Sequence, residues 1–173
     1  MRVTLSFATT ADGYLDDNSP ERLMISTPGD WEAVMRLRAA HDAILVGAET
    51  LRRDNPALLL RDPAVRELRR ARGVRPDLAK VTVTRSGGLS PTMRFFTEGD
   101  ADRYVFSQTE IPELKDIAEV ISTDGSITAG YIVTELEKRG VESLLVEGGA
   151  RILGMFLAEG MADEVRRAVN PQL

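Results

Sequence analysis

Two adjacent glycines, Gly148 and Gly149, follow a short apolar run and precede a segment with helical spacing. Glycine has no Cβ, so an anionic group can approach the backbone closely at this point. The free N–H groups of the first helical turn would point at that anion, and the helix dipole would favour its negative charge. The pair therefore indicates a phosphate-binding turn, although two glycines also permit a tight strand-to-helix turn with no ligand.

The segment VGAETLRRDNP has a similar arrangement and begins where another apolar run ends. Gly47 closes the run, Thr50 offers a hydroxyl, and Asp54 opens a turn with the Asn and Pro that follow. We interpret the segment as a second ligand-binding loop. Asp54 fits either a turn role or a cofactor role.

Arg85 and Ser86 follow the run VTVT and form a third candidate site. A guanidinium matches phosphate oxygens bidentately, so this pair could hold a ribose 2′-phosphate, the group that separates NADP from NAD. A polar loop without a ligand explains the same residues. The G-x-G-x-x-G fingerprint is missing, which excludes a standard Rossmann site.

The composition narrows the class of protein. The chain has 173 residues, 43% of them hydrophobic and 28% charged, which is typical of one globular domain. It has no cysteine and one histidine, His41, so we expect no metal site of thiolates or of several histidines. A net charge of −5 disfavours nucleic acid as a partner, and the lack of a leader or a long apolar run predicts a cytoplasmic protein without a membrane segment.

Strand and helix signals alternate along the chain. Apolar runs predict strands at residues 2–9, 43–47, 81–84, 103–107, 118–122, 143–147 and 163–169. Helical spacing predicts a helix capped by Thr27 or Asp30 and a helix over residues 128–139. It also predicts a helix after Gly149, with Ile152, Leu153, Phe156 and Leu157 on one apolar face. The alternation predicts an α/β fold with a mostly parallel central sheet, helices on both faces and ligand-binding loops at the carboxyl ends of the strands.

Four blocks of the sequence resemble the reductase domain of riboflavin biosynthesis, a relative of dihydrofolate reductase. They are TTADGY (9–14), MISTP (24–28) with RLRAAHDAILVGAETLRRDNPAL (36–58), VTVTRS (81–86), and LLVEGGARIL (144–153) with EGMADEV (159–165). The resemblance implies a dihydrofolate-reductase-like three-layer sandwich and a homodimer. It also implies that residues 1–173 are a single reductase domain, without the family's last strands and without its companion deaminase domain.

The resemblance further implies NADPH-dependent reduction of a ribosylamino-pyrimidine 5′-phosphate, in which hydride converts the open-chain ribose imine to ribitylamine. The residues implied at the cofactor are Thr9, Gly47, Thr50, Asp54, Arg85, Ser86, Gly148, Gly149, Ala150, Arg151, Ile152 and Leu153. Those implied at the substrate are Arg22, Arg38, Leu58, Arg61 and Glu147, with the arginines at its phosphate. Asp12 and Glu147 are the candidates for assisting protonation.

Several departures from the family pattern keep alternatives open. Met24 stands where many members have tryptophan, Thr84 where aspartate is common, and Arg22 where the family has a serine. The arginine-rich segment 62–77 is long for its place and fits a surface helix, a dimer contact or a lid. A reductase of dihydrofolate or of another pteridine or pyrimidine, and a non-catalytic NADPH-binding module, remain alternative functions.

Overall fold

A computed structural model describes residues 1–15 and 27–171 of the chain. Within them, the strands are β1 Arg2–Thr10, β2 Ala43–Gly47, β3 Ala79–Thr84, β4 Arg103–Ser107, β5 Glu119–Ser122, β6 Ser143–Gly148 and β7 Glu164–Asn170. The helices are α1 Pro28–Ala39, α2 Ala48–Asp54, α3 Pro63–Ala71, α4 Arg94–Thr97, α5 Ala129–Glu137 and α6 Ala150–Ala158, with a 3₁₀ turn at Pro112–Leu114. None of the helices in this described part is both long and apolar enough to cross a bilayer.

The strands form one parallel sheet in the order β5-β4-β3-β2-β6-β1-β7. From β1 to β5 the chain moves toward one edge of the sheet, and from β5 to β7 it moves back toward the other. Because connections between parallel strands are right-handed, this reversal sends the later helices to the opposite face. The predicted parallel α/β architecture is confirmed.

Two buried apolar clusters, one on each face of the sheet, show that the fold has three layers: helices, sheet and helices. Leu51 of α2 and Phe95 of α4 belong to the cluster on one face of the sheet. Ile132 of α5 and Phe156 of α6 belong to the cluster on the other face. Strand β2 is buried along its whole length, as its continuous apolar run predicted for a strand covered on both sides.

Some local predictions are wrong. Residues 48–54 form helix α2 directly after β2, with Gly47 at its N-cap, and not a loop. Leu157 is 50% exposed, because it lies one position past the buried Phe156 and so about 100° farther around the helix, toward solvent. Helix α1 does begin as predicted, since the hydroxyl of Thr27 accepts a hydrogen bond from the backbone N–H of Asp30.

The arginine-rich segment forms helix α3, which Arg69 anchors to the rest of the protein. The Arg69 side chain is nearly buried and donates hydrogen bonds to the carbonyl oxygens of Ala39, His41 and Arg75 at 2.8–2.9 Å. Its neighbour Arg70 is exposed and pairs with Glu67, one turn earlier. The segment is therefore a surface helix that is fixed to the end of α1 by one buried guanidinium.

This anchoring makes a prediction about stability. Replacing Arg69 with methionine removes three charge-assisted hydrogen bonds and leaves their carbonyl oxygens without a donor, so the free energy of unfolding should fall by about 3 kcal/mol. Urea unfolding followed by circular dichroism measures the change. The matched control is Arg70→Met on the same helix, which should stay close to the parent protein. Equal stability of the two variants would contradict the anchoring role of Arg69.

Candidate functional site

The carboxyl ends of β1, β6, β2 and β3 lie side by side at one edge of the sheet. In the registers, Val46 of β2 pairs with Gly148 of β6, and Gly47 pairs with Val83 of β3. Strand β6 enters late in the sequence and lies between β1 and β2, so the chain reverses its direction across the sheet at this point. Such a reversal opens a crevice between loops that leave on opposite faces, which is where open α/β sheets bind ligands.

The two glycine-containing segments contact each other at this edge. A Cβ on Gly47 would lie 3.1 Å from Cγ1 of Ile152 and 3.6 Å from the backbone nitrogen of Gly149. A Cβ on Gly149 would lie 3.4 Å from the hydroxyl oxygen of Thr50. The two segments, which the sequence identified separately, therefore form one wall. A side chain at Gly47 would crowd Ile152 and push the two segments apart.

The start of α6 has the features of an anion-binding turn. Gly149 is the N-cap, and its carbonyl oxygen accepts hydrogen bonds from the backbone of Ile152 and Leu153 at 3.0 and 3.2 Å. Ala150 and Arg151, which precede them, are exposed. Gly148 has a φ of 136°, and a Cβ placed on it would meet no described atom within 4 Å. This open space beside a helix N-terminus fits a phosphate group of a dinucleotide.

A cleft with a volume of about 440 Å³ lies next to this wall. Six of the predicted residues line it, namely Arg38, Thr50, Asp54, Leu58, Arg61 and Glu147. They come from α1, α2, the segment after α2 and the end of β6. The structure thus brings together most of the residues that the resemblance implied at the substrate, along with two implied at the cofactor.

A buried ion pair joins two sides of the cleft. Arg38 of α1 donates to both carboxylate oxygens of Glu147, with Nε–Oε1 at 2.8 Å and Nη2–Oε2 at 2.6 Å. The two side chains are only 8% and 13% exposed. The Arg38 guanidinium also lies 5.3 Å from the ring centre of Trp31, at the cleft mouth. Each carboxylate oxygen keeps a lone pair for a further donor, so Glu147 can still accept hydrogen bonds from a ligand.

Leu58 holds an unusual backbone conformation in the cleft wall. Its φ is 54°, in the left-handed region that costs an ordinary residue about 1 kcal/mol or more, while its side chain is buried among the apolar residues of one face. Burial of the side chain offsets this cost. The conformation directs the chain from α2 toward Arg61, which is exposed and has no salt-bridge partner among the described residues.

Two other predicted residues, Thr9 and Asp12, lie outside the cleft lining. Thr9 is buried, and its hydroxyl accepts a hydrogen bond from Nε of Arg167 at 2.9 Å. Asp12 is exposed in the turn after β1, where it accepts a hydrogen bond from the hydroxyl of Thr10. Arg22 falls outside the described residues. The roles predicted for these three residues stay predictions.

Arg85 and Ser86 are exposed in the loop that follows β3. Arg52 of α2 holds this loop, because its guanidinium donates to the carbonyl oxygens of Gly87 at 2.8 Å and Gly88 at 3.2 Å. The loop is therefore tied to the helix that carries Thr50. The role of Arg52 was not predictable from the sequence, since a surface arginine in a helix carries no local signal of what it contacts.

Further charged residues of the cleft were also missed. Arg166 of β7 pairs with Asp30 of α1, and Arg94 of α4 pairs with Glu98; all four side chains line the cleft. Arg166 and Asp30 are far apart in the sequence, and α4, which carries Arg94, is a single turn without a periodic pattern. Among residues 1–15 and 27–171, no three histidine, aspartate or glutamate side chains are grouped as a metal ion would require.

Comparison with known proteins assigns a family to this arrangement. The chain matches the family described as RibD C-terminal domain over residues 1–173. It is 29% identical over 174 residues to a 2,5-diamino-6-ribosylamino-4(3H)-pyrimidinone 5′-phosphate reductase of Archaeoglobus fulgidus, covering 98% of this chain and 80% of that protein. A protein of the same name from Aquifex aeolicus is 31% identical over 160 residues, covering 88% of this chain and 67% of the relative.

A solved structure is similar throughout the chain. It is a diaminohydroxyphosphoribosylaminopyrimidine deaminase/5-amino-6-(5-phosphoribosylamino)uracil reductase of Thermotoga maritima, with a TM-score of 0.83 at 29% identity. The match covers 99% of this chain and 45% of that protein, so this chain spans less than half of its length. These matches confirm the predicted family and the predicted dihydrofolate-reductase-like α/β fold.

The Arg38–Glu147 pair makes a prediction that needs no ligand. Because both groups are nearly buried, Glu147→Gln leaves the Arg38 charge without its partner and should lower the free energy of unfolding by about 3 kcal/mol. Arg38→Met should cost a similar amount. The double variant should be more stable than the sum of the two losses predicts, since no buried charge then lacks a partner. Urea unfolding measures all four proteins, and strictly additive losses would contradict a direct pair.

Proposed function

We propose, for a chain that belongs to the RibD C-terminal domain family, the NADPH-dependent reduction of a ribosylamino-pyrimidine 5′-phosphate. One observation carries the proposal. The cleft places Arg61 and the Arg38–Glu147 pair next to Thr50, whose hydroxyl lies against the Gly148–Gly149 turn. A site for a phosphorylated substrate and a site for a dinucleotide phosphate are thereby adjacent. The reductase names of the relatives from Archaeoglobus and Aquifex support the same reaction.

The residues at the sheet edge suit a nicotinamide dinucleotide. The backbone N–H groups at the start of α6 would bind its pyrophosphate, in the space that the missing side chain of Gly148 leaves open. The Thr50 hydroxyl would contact the cofactor beside Gly149, and Arg85 with Ser86 would face the ribose 2′-phosphate that distinguishes NADPH. When bound, the reduced cofactor supplies the hydride.

The substrate would lie in the cleft, with its charged and polar ends held by different residues. Arg61 would bind the phosphate, because it is exposed at the cleft and carries a guanidinium without a salt-bridge partner in the described chain. Glu147 would accept hydrogen bonds from the amino groups of the pyrimidine. Leu58 would provide an apolar surface on the cleft wall.

The protein's contribution to the reaction is mainly orientation. Reduction of the open-chain imine converts the C=N double bond to a single bond. The hydride forms the new C–H bond and a proton forms the new N–H bond. The residues hold the imine carbon in place for this transfer and shield it from water. Because Arg38 already donates to both oxygens of Glu147, we assign this carboxylate to substrate orientation. Its part in protonation, like that of Asp12, stays a prediction, as do the homodimer and the cytoplasmic location.

A cofactor-oxidation assay tests the proposed function. The purified protein should oxidise NADPH when given a ribosylamino-pyrimidine 5′-phosphate, measured by the loss of NADPH absorbance. The diamino-pyrimidinone and the deaminated uracil forms are assayed separately to identify the preferred pyrimidine. Turnover of dihydrofolate alone would favour a folate reductase. If NADPH raised the melting temperature but no substrate were reduced, the chain would be a binding module.

The cofactor assignment makes a separate prediction at Arg85. If its guanidinium binds the 2′-phosphate, Arg85→Ala should raise the KM for NADPH about tenfold, because one charge-assisted contact is lost. The KM for NADH, which lacks this phosphate, should change little. Steady-state kinetics with both cofactors measure the difference, and Arg72→Ala, an exposed arginine at the end of α3, is the control. An equal effect on both cofactors would argue against this role for Arg85.

A further inference from the structure

The short helix α4 brings a second arginine to the cleft that Arg61 lines. Arg94 and Glu98, at the start and just after the end of this helix, both line the cleft. Neither belongs to the segments that the resemblance identified. Arg61 comes from the chain after α2 and Arg94 from the connection between β3 and β4, so tertiary packing alone brings the two guanidinium groups to the same cavity.

Hydrogen bonds at both ends of helix α4 hold the helix, and the Arg94 that it carries, in place beside the cleft. The Nζ of Lys80, whose side chain is fully buried in β3, donates to the carbonyl oxygens of Phe95 at 3.1 Å and Glu98 at 2.6 Å. Burial lowers the pKa of the Lys80 ammonium to about 8. At the other end, the backbone N–H of Arg94 donates to the side-chain oxygen of Asn55 at 2.8 Å. Both ends of the helix are thus tied to the sheet and to the end of α2.

The Glu98 carboxylate pairs with Arg94 at this end of the cleft, which Arg61 also lines. Arg94 donates to Glu98 from Nε at 2.5 Å and from Nη2 at 3.2 Å. The pKa of Glu98 is lowered, first by this hydrogen bond and further by the charges of Arg94, Lys80 and Arg61. The charge of Arg61 therefore acts on the same carboxylate that pairs with Arg94. Glu98 supplies one negative charge and the two arginines supply two positive charges, so these three side chains together remain positive.

We propose that Arg61 and Arg94 together bind the phosphate monoester of the substrate. Until then the Glu98 carboxylate pairs with the Arg94 guanidinium, and the phosphate displaces this carboxylate when it binds. This rests on the proposed function, since it concerns the substrate end of the same cleft. A phosphate monoester carries a charge between about −1.5 and −2 at neutral pH and three acceptor oxygens, which two guanidinium groups match. A carboxylate carries a single negative charge and has only two acceptor oxygens. The arrangement therefore selects a phosphorylated sugar over a neutral or a carboxylated one.

The role of Glu98 follows from the same charges. Its carboxylate accepts two hydrogen bonds from the Arg94 guanidinium and so limits the freedom of that side chain. When a phosphate enters, the two anions compete for one guanidinium, and the phosphate must overcome that contact. Removing the charge of Glu98 should accordingly strengthen phosphate binding, an effect opposite in sign to the removal of Arg94.

Calorimetric titration with ribose 5-phosphate tests the proposal without requiring catalysis. The parent protein should bind ribose 5-phosphate in preference to ribose. Arg94→Gln and Arg61→Gln should each weaken ribose 5-phosphate binding about tenfold, the loss expected for one charge-assisted contact. Glu98→Gln should strengthen it by a factor of about three. The matched control is Arg70→Gln, which removes an exposed arginine that also pairs with a glutamate on its own helix but lies outside the cleft.

Two results would overturn the proposal. In one, Arg94→Gln binds ribose 5-phosphate as tightly as the parent while Arg61→Gln loses affinity, which would leave Arg61 as the phosphate ligand without Arg94. In the other, the parent does not distinguish ribose 5-phosphate from ribose. The opposite sign expected for Glu98→Gln separates a specific effect from partial unfolding, which would weaken binding in every variant.

This titration is independent of the assay for the proposed function. If no pyrimidine is reduced but Arg94→Gln still weakens ribose 5-phosphate binding, the phosphate site stands and the reductase proposal fails. If the pyrimidine is reduced and Arg94→Gln leaves both the ribose 5-phosphate affinity and the KM unchanged, the phosphate site fails and the reductase proposal stands.

Discussion

The insertion of β6 between β1 and β2 is the constraint on which the rest of the structure depends. The middle residues of β6 have parallel partners on both sides; Leu144, for example, pairs with Val3 of β1 and with Ala43 of β2. The strand completes the centre of the sheet, and its carboxyl end carries Glu147, Gly148 and the start of α6. Because the chain enters β6 after reversing direction, α6 leaves on the face opposite to α2, and the crevice opens between the two.

Burial determines which positively charged side chains need partners inside the protein. Cations that are buried have partners inside the protein: Arg38 pairs with Glu147, and Arg69 and Lys80 donate to backbone carbonyl oxygens. A buried charge without such partners would cost several kcal/mol. Two arginines that remain exposed lie near the ligand-binding edge: Arg61 lines the cleft, and Arg85 is in the loop after β3. The protein thus uses its buried cations to fix helices and has exposed arginines beside the ligand-binding edge.

Local patterns in the sequence predicted most of the fold. The continuous apolar runs of β2 and β6 predicted doubly covered strands because a parallel strand between helices has no solvent-facing side. The glycines after them predicted a phosphate-binding turn. Without a Cβ, an anion can approach the backbone N–H groups where a strand leads into a helix. Helix α4 was not predictable, because one turn of helix is too short to show a period. Trp31 of α1 is 41% exposed and lies against Arg38, a contact that tertiary packing sets.

The sequence by itself determined the parallel α/β architecture, the family and the positions of the glycine turns, because these depend on contacts between near neighbours or on recognisable motifs. Only the tertiary structure decided which of the many arginines are buried and which remain at the cleft. Arg69 and Arg72 have the same side chain on one short segment, but Arg69 reaches three carbonyl oxygens whereas Arg72 is exposed. The partner of a charged group often comes from a distant part of the chain. A local sequence pattern does not show which distant residues lie close together in the folded protein.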